Sequence, residues 1–427
     1  MKSWPGLRWW ICSLLFLATV LGYIDRGLVG FLKGDLQRDL HWNEIDYANA
    51  VAAFSLAYAF GQLFAGRLMD VIGTRLGFIF AVGFWSIAAM SHAAAGSLLG
   101  FAAARFALGL AEGGNYPGAT KAVSEWFPKK ERALAAGFFN SGSNIGAILT
   151  PILVTIITVK LGLSWRICFI AAGIGGLIWL IPWLWLYRLP QDHPRLSAAE
   201  LAHITADPPD RPAHIPWARM LQFRATWAFV IGLSLTSPIW WFYLYWFPDF
   251  LSKTFHLDKS HQQGPVIIVY VISDIGSIAG GWISSILIHR GFTINLGRKL
   301  AMLACALCVV PVFFAPRTHT LWMATALIAL AAAAHQGWAS NLYTLVSDMM
   351  PRRAVSSVVG IGGFSAGLVA MLFQNFSGHL LQSRQGSAYT ILFAICSCAY
   401  LVALLSIHVL VPRLRVVEVV YRLNEDR

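Results

Sequence analysis

The sequence predicts an all-α membrane protein: twelve transmembrane helices arranged as two six-helix halves. Three observations carry that expectation. The 427-residue chain is 57% hydrophobic and only 12% charged, about half the charged share usual in soluble domains. Its apolar residues gather into runs long enough to cross a bilayer. A polar, proline-rich stretch, "RLPQDHPRLSAAELAHITADPPDRPAHIPWARMLQFR", splits those runs six and six. A soluble protein of this length has no core large enough for 18 Trp and 27 Phe, whereas in lipid an apolar exterior is the solvated one.

The first six runs fall near 9–32, 46–69, 76–95, 97–123, 133–159 and 166–188. The second six fall near 225–251, 263–289, 299–315, 320–346, 355–380 and 387–411. The halves are therefore 1–188 and 224–427, joined by a cytoplasmic linker over 189–223. The opening "MKSWPGLRWW" is a positive flank, and the run behind it lacks a small-residue cleavage pattern, so it reads as a retained span. With both termini inside, the outer loops hold eight of the 32 basic residues and the spans hold Arg26 and Arg105, which leaves 22 on the inner side. That bias sets the expected orientation.

The halves repeat. "SEWFPKKERALAAG" (124–137) matches "SDMMPRRAVSSVVG" (347–360) in its Ser, acid, Pro, paired bases and final Gly. The first lies between spans four and five, the second between spans ten and eleven. Parallel six-helix repeats suit a carrier that rocks around one central site.

Several function classes are excluded. The net charge of +12 sits in short clusters between apolar runs, with no basic face or nucleic-acid motif. The six cysteines, Cys305 and Cys308 in CxxC spacing among them, lie in apolar runs and read as reduced, buried thiols. There is no zinc-protease pair, nucleophile elbow or P-loop. No enzyme and no cofactor are expected, and without a nucleotide site any uphill transport must draw on an ion gradient.

Charges inside spans are costly and mark function. Asp25 and Arg26 stand together in span one, Arg105 and Glu112 in span four, and Asp274 in span eight. Arg105 and Glu112 are seven apart, so both return to nearly one helix face, about 10 Å apart along the axis. Glu112 is the candidate proton carrier, with Arg105 tuning it; a static ion pair between spans one and four is the plain alternative. Arg26 is always charged, and its planar fork matches a carboxylate, so it is the candidate anion receptor. Asp25 either pairs with Arg105 or is a second proton site. Gly109, Gly113 and Gly114 around Glu112 allow close helix approach. Groups suited to a polyhydroxylated ring surround these charges: Tyr23, Tyr58, Gln62, Asn144, Trp240, Tyr243, His335 and Asn341, with Asn140, Ser143 and Gln336 nearby. His335 is either a proton relay or a neutral buried histidine, and the role of Asp274 is open.

These features resemble the major facilitator superfamily. "GRLMDVIGTR" is similar to its gating motif through Gly66, Asp70, Gly73 and Arg75, with Val71 and Thr74 where bases are usual. "GYIDR", "RFALGLAEGGNYPGATKAVSEWFPKKERALAAGFFNSGSNIGAILTP" and "AHQGWASNLYTLVSDMMPRRAVSSVVGIGGFSAG" resemble the anion:cation symporters, and among them the hexuronate transporters. The resemblance implies a monomeric carrier in a bacterial inner membrane that imports glucuronate or galacturonate with a proton. It implies that Arg26 holds the substrate carboxylate, with Tyr23, Tyr58 and Asn144 beside the sugar. Glu112 and Asp25 would be the protonatable pair, and Arg105 would modulate Glu112. A carrier of another organic anion, such as an aldonate or dicarboxylate, is the nearest rival. A transporter-like sugar-acid sensor is the other, disfavoured by the short tail after Val411.

Overall fold

A computed structural model describes residue 4 and residues 6–206, 217–350, 352–384 and 387–415. Among these residues all regular structure is helical. The first half comprises α1 (Leu7–Phe31), α2 (Lys33–Leu40), α3 (Glu44–Ile72), α4 (Thr74–Ser91), α5 (Leu98–Glu112), α6 (Asn115–Trp126), α7 (Lys129–Thr155) and α8 (Arg166–Leu186). Short helices α9 (Ala198–Ile204) and α10 (Trp217–Met220) lie in the linker. The second half comprises α11 (Arg224–Phe255), α12 (Lys259–His289), α13 (Ile294–Val309), α14 (Leu321–Met349), α15 (Arg352–Ser383) and α16 (Ala388–Leu410).

Ten segments are each long and apolar enough to cross a membrane by length and composition among the described residues. The α5–α6 pair and α14 complete the twelve-span architecture. Their large outward side chains, such as Phe80, Ile181, Ile278 and Trp282, are exposed and apolar, as lipid requires.

Local sequence accounts for where helices start. Asn43 caps α3: its side chain accepts from the amides of Ile45 and Asp46, while Asp46 accepts from the Asn43 amide. Gly73 ends α3 with φ 82° and opens directly into α4. The repeat is visible in the backbone as well. The Phe127 amide closes α6 on the Val123 carbonyl, and the Met350 amide closes α14 on the Val346 carbonyl at the same offset. Pro351, part of the repeat, lies outside the described residues.

Two expectations need correction. Span four is not continuous: it breaks at Gly113–Gly114, directly after Glu112. Pro117 has no N–H to offer the Gly113 carbonyl, and the Gly114 amide turns tightly onto Ala111 instead. The cysteines are free, but Cys308 and Cys398 are exposed rather than buried, because a transmembrane run has a lipid-facing side.

Small residues let the helices approach closely enough to carry the site. A Cβ at Gly113 would lie 2.6 Å from the carbonyl carbon of Gly61, so α5 and α3 touch backbone to backbone. Gly146 plays the same part between α7 and α1, 2.7 Å from the Tyr23 Cβ by the same measure. Between the halves, α3 packs on α15, α7 on α12 and α1 on α11.

Candidate functional site

Helix α1 turns about 100° per residue, so Tyr23 and Arg26, three apart, share the face that meets the cavity, while Asp25 points elsewhere. Arg26 reaches a central cavity of about 250 Å³ between the halves. Its Nε donates to Glu112 Oε2 at 2.7 Å. Aromatic rings enclose its guanidinium: Tyr58 at 4.4 Å, Tyr23 at 4.8 Å, Phe54 at 5.5 Å and Trp241 at 5.7 Å to the ring centroids. Trp241 comes from α11 in the other half. A cation over several π faces is well held without a second acid.

Behind Arg26 lies a sealed layer of charge. Arg105 and Glu112 are fully buried and Asp25 is 1% exposed. Arg105 rests on the Phe54 ring at 4.3 Å and donates Nη2 to the Tyr245 hydroxyl at 3.3 Å. Its other two nitrogens, both Asp25 oxygens and Glu112 Oε1 have no hydrogen-bond partner among the described residues. Asp25 and Arg105 do not form an ion pair, so the first of the two expected roles for Asp25 is corrected. Arg105 turns to Tyr245 and Phe54 instead, and α1 and α5 meet through Arg26 and Glu112. The four groups sum to zero charge, two cations against two acids, yet only one pair is closed. Burying a polar group without a hydrogen bond is costly. No group of three or more His, Cys, Asp or Glu suited to a metal occurs among the described residues.

Of the residues expected from sequence, Tyr23, Arg26, Tyr58, Gln62, Trp240 and His335 line the cavity. Three do not. Asn144 bonds Asp274 across the α7–α12 seam. Asn341 donates to the carbonyls of Gly280 and Gly337, tying α14 to α12. Tyr243 turns into the packing of the second half beside Phe242 and Phe393. In each case the helix phase carries the side chain away from the centre. Asn140, Ser143 and Gln336 line the cavity as expected, and Asp274 gains a partner in Asn144. Sequence reasoning missed Thr19, Asn115, Tyr116, Trp241 and Tyr343 in the lining. Thr19 was findable, four residues before Tyr23 on the same helix face. Asn115 and Tyr116 were not, because the break after Glu112 resets the helix phase.

The Major Facilitator Superfamily profile matches residues 15–374. The chain belongs to this superfamily. It is 32% identical over 434 residues to the hexuronate transporter of Escherichia coli K12, covering 100% of this chain and 99% of that protein. It is 33% identical over 312 residues to the galacturonate transporter of Dickeya chrysanthemi, covering 71% and 90% respectively. In fold it matches the inward-open xylose transporter of E. coli, with a TM-score of 0.73 at 15% identity over 95% of this chain and 96% of that one.

The two ends of this facilitator differ. At the α2 end, ion pairs join the halves: Lys33 to Asp249 at 2.9 Å, Lys253 to Glu44 at 2.5 Å, and Lys259 to Asp35. Lys33 also holds Glu44 at 2.6 Å, and the Tyr389 hydroxyl donates to Asp249. At the linker end, the ion pairs among the described residues stay within one half and its linker. Arg8 binds Glu131 and Glu200, each at 3.0 Å, and Arg298 binds Asp348 at 3.1 Å. In the stretch expected to form a gating motif, Arg75 donates to the Leu184 carbonyl at 2.6 Å and so ties α4 to α8 inside its own half. The surroundings of Gly66 and the side chain of Asp70 lie outside what the structure describes.

Proposed function

We propose that this facilitator imports a hexuronate, glucuronate or galacturonate, by proton symport through alternating access. It would work as a monomer in a bacterial inner membrane with both termini cytoplasmic. Residues 1–188 and 224–427 are taken as the rocking halves and 189–223 as the linker. The names of the relatives support the substrate class. The basic-residue bias supports the orientation. On that orientation the α2 end is extracellular and held shut, and the cavity belongs to the inward-facing half of the cycle.

One observation carries the mechanism: the cation that lines the cavity is already paired with the buried acid behind it. A substrate carboxylate must compete with Glu112 for Arg26. When it wins, Glu112 is left in a dry site with an unmatched charge, a state that costs several kcal/mol. A proton on Glu112 removes that charge. Two states are then electrically closed. The empty carrier has Arg26 on Glu112; the loaded one has Arg26 on substrate and a protonated Glu112. Binding only one of the two partners leaves a naked charge in the membrane interior and blocks the swing. Coupling follows from that exclusion. Asp25 is the second acid able to hold a proton, and Arg105 balances whichever acid is ionised. Tyr23, Tyr58, Gln62 and Trp240 offer ring faces and hydrogen bonds to the sugar.

Uptake of labelled glucuronate into proteoliposomes under an imposed pH gradient tests the reading. The wild type accumulates it uphill. Arg26→Ala abolishes uptake. Glu112→Gln, a permanent mimic of the protonated acid, exchanges substrate but no longer concentrates it. Uphill accumulation by Glu112→Gln would refute the coupling scheme, and normal uptake by Arg26→Ala would refute the receptor role.

A further inference from the structure

The part of the cavity wall supplied by the second half has its own fixed group. His335, on α14, lines the cavity. Its Nδ1 is hydrogen-bonded to the Tyr400 hydroxyl at 2.6 Å. Trp240 stacks on the ring at 5.2 Å and 11°, and Tyr400 meets it edge-on at 6.0 Å. With Nδ1 engaged and one face covered, Nε2 is the remaining polar atom of a ring that borders the cavity. The adjacent α11 tryptophan, Trp241, leans over Arg26. One pair of neighbouring indoles thus abuts the guanidinium on one side and the imidazole on the other.

The charge inventory of the lining is lopsided. Arg26 is the one Lys or Arg among the described lining residues, and no Asp or Glu joins it. The second half contributes neutral donors and acceptors, among them Ser277, Gln336 and Ser340. Among the described residues the side-chain partner of His335 is the neutral Tyr400 hydroxyl rather than a carboxylate, and an imidazole with no acid beside it is mostly neutral at pH 7.

We infer that His335, clamped by Tyr400 and Trp240, reads the pole of the substrate remote from its carboxylate and makes the carrier select sugar mono-acids over sugar di-acids. This rests on the sugar-acid reading above and deepens it. A uronate places its carboxylate on Arg26 and hydroxyl or ring oxygen atoms near Nε2, which a neutral imidazole satisfies. An aldarate of the same length carries a second carboxylate there, stripped of water with no cation to meet it. A site built for a neutral polar partner rejects a mismatched one strongly.

The test is displacement of labelled glucuronate from the purified full-length protein at pH 7, by unlabelled glucuronate and by glucarate. In the wild type, glucarate should need at least about tenfold more ligand for equal displacement. His335→Lys, which supplies the missing cation, should shrink or invert that ratio. His335→Gln, neutral and able to hydrogen-bond, should keep the mono-acid preference. Equal displacement by both acids in the wild type overturns the inference. So does an unchanged ratio in a monodisperse His335→Lys protein that still binds glucuronate, or loss of the preference in His335→Gln. If the wild type binds neither acid, the hexuronate reading itself has failed, which is a different result.

Discussion

Replacing Asp249 with Asn should open the α2 end. Asp249 is 9% exposed and holds Lys33, itself 2% exposed, at 2.9 Å across the boundary between the halves. Lys253 adds a contact at 3.3 Å from a side chain that is 42% exposed, so solvent screens most of its contribution. Removing one partner of a buried pair costs about 3–5 kcal/mol. Lys33 keeps Glu44 at 2.6 Å, so about half that cost, roughly 2 kcal/mol, should remain. Burial already pushes the Lys33 amine below its ordinary value despite Asp249 and Glu44 beside it. The conformation open at this end never makes the contact and loses nothing. The equilibrium should shift toward it by roughly thirtyfold. Spin labels at Arg38 and His261, exposed at this end on opposite halves, report the separation after Cys308 and Cys398 are replaced by Ser. A new long-distance component in Asp249→Asn is expected. A distance distribution identical to that of the parent would refute the view that these ion pairs hold the end shut.

Three other outcomes are expected. Gly113→Val drives a Cβ to within 2.6 Å of the Gly61 carbonyl carbon and 2.7 Å of the Gln62 nitrogen; neither can yield without moving α3, so stability should fall by about 1–3 kcal/mol or more, and an unchanged melting temperature in detergent would show that the helices do not touch there. Tyr245→Phe takes from Arg105 its one hydrogen bond among the described residues; about 1.5–3 kcal/mol of stability should go with it, and a melting curve matching wild type would contradict this. Linker docking should depend on acid pH. Burial tends to raise the Glu131 carboxyl, but the hydrogen bonds from His203 and Arg8 outweigh it and hold the group below its ordinary value of 4.5. A group lowered by docking stabilises the docked form above its free value and loses that contribution as pH falls through the docked value. Amides of α9 should therefore exchange faster, after intrinsic correction, at about pH 3.5 than at pH 7; equal protection at both would refute the linkage.

Much of the candidate site was legible because intramembrane charge is rare. Arg26, Arg105, Glu112 and Asp25 stand out in any hydropathy reading, and Tyr23, Tyr58, Gln62, Trp240 and His335 followed from proximity and helix phase. Asn144 and Asn341 misled because a polar side chain in a span serves equally to tie one helix to the next, and Tyr243 because an aromatic ring serves equally as packing. Asn341 does so through the carbonyls of Gly280 and Gly337. The break after Glu112 was written in Gly113, Gly114 and Pro117, yet its effect on Asn115 and Tyr116 appears only once the chain is bent. The α2 helix and its ion pairs were invisible, since Lys33, Glu44 and Lys253 look in sequence like ordinary loop charges and Asp249 stands at the very end of the run near 225–251.

The amino-acid sequence alone determined the number of spans, their division into two repeats and which charges enter the membrane. Those are properties of composition along the chain, and lipid enforces them on each segment separately. Tertiary structure decided the pairings: Arg26 with Glu112 rather than Arg105 with Asp25, His335 with Tyr400, and Lys33 with Asp249. Each joins residues from different helices, and the contact depends on axial rotation and on glycine-spaced approach of a few ångströms, which no single segment specifies.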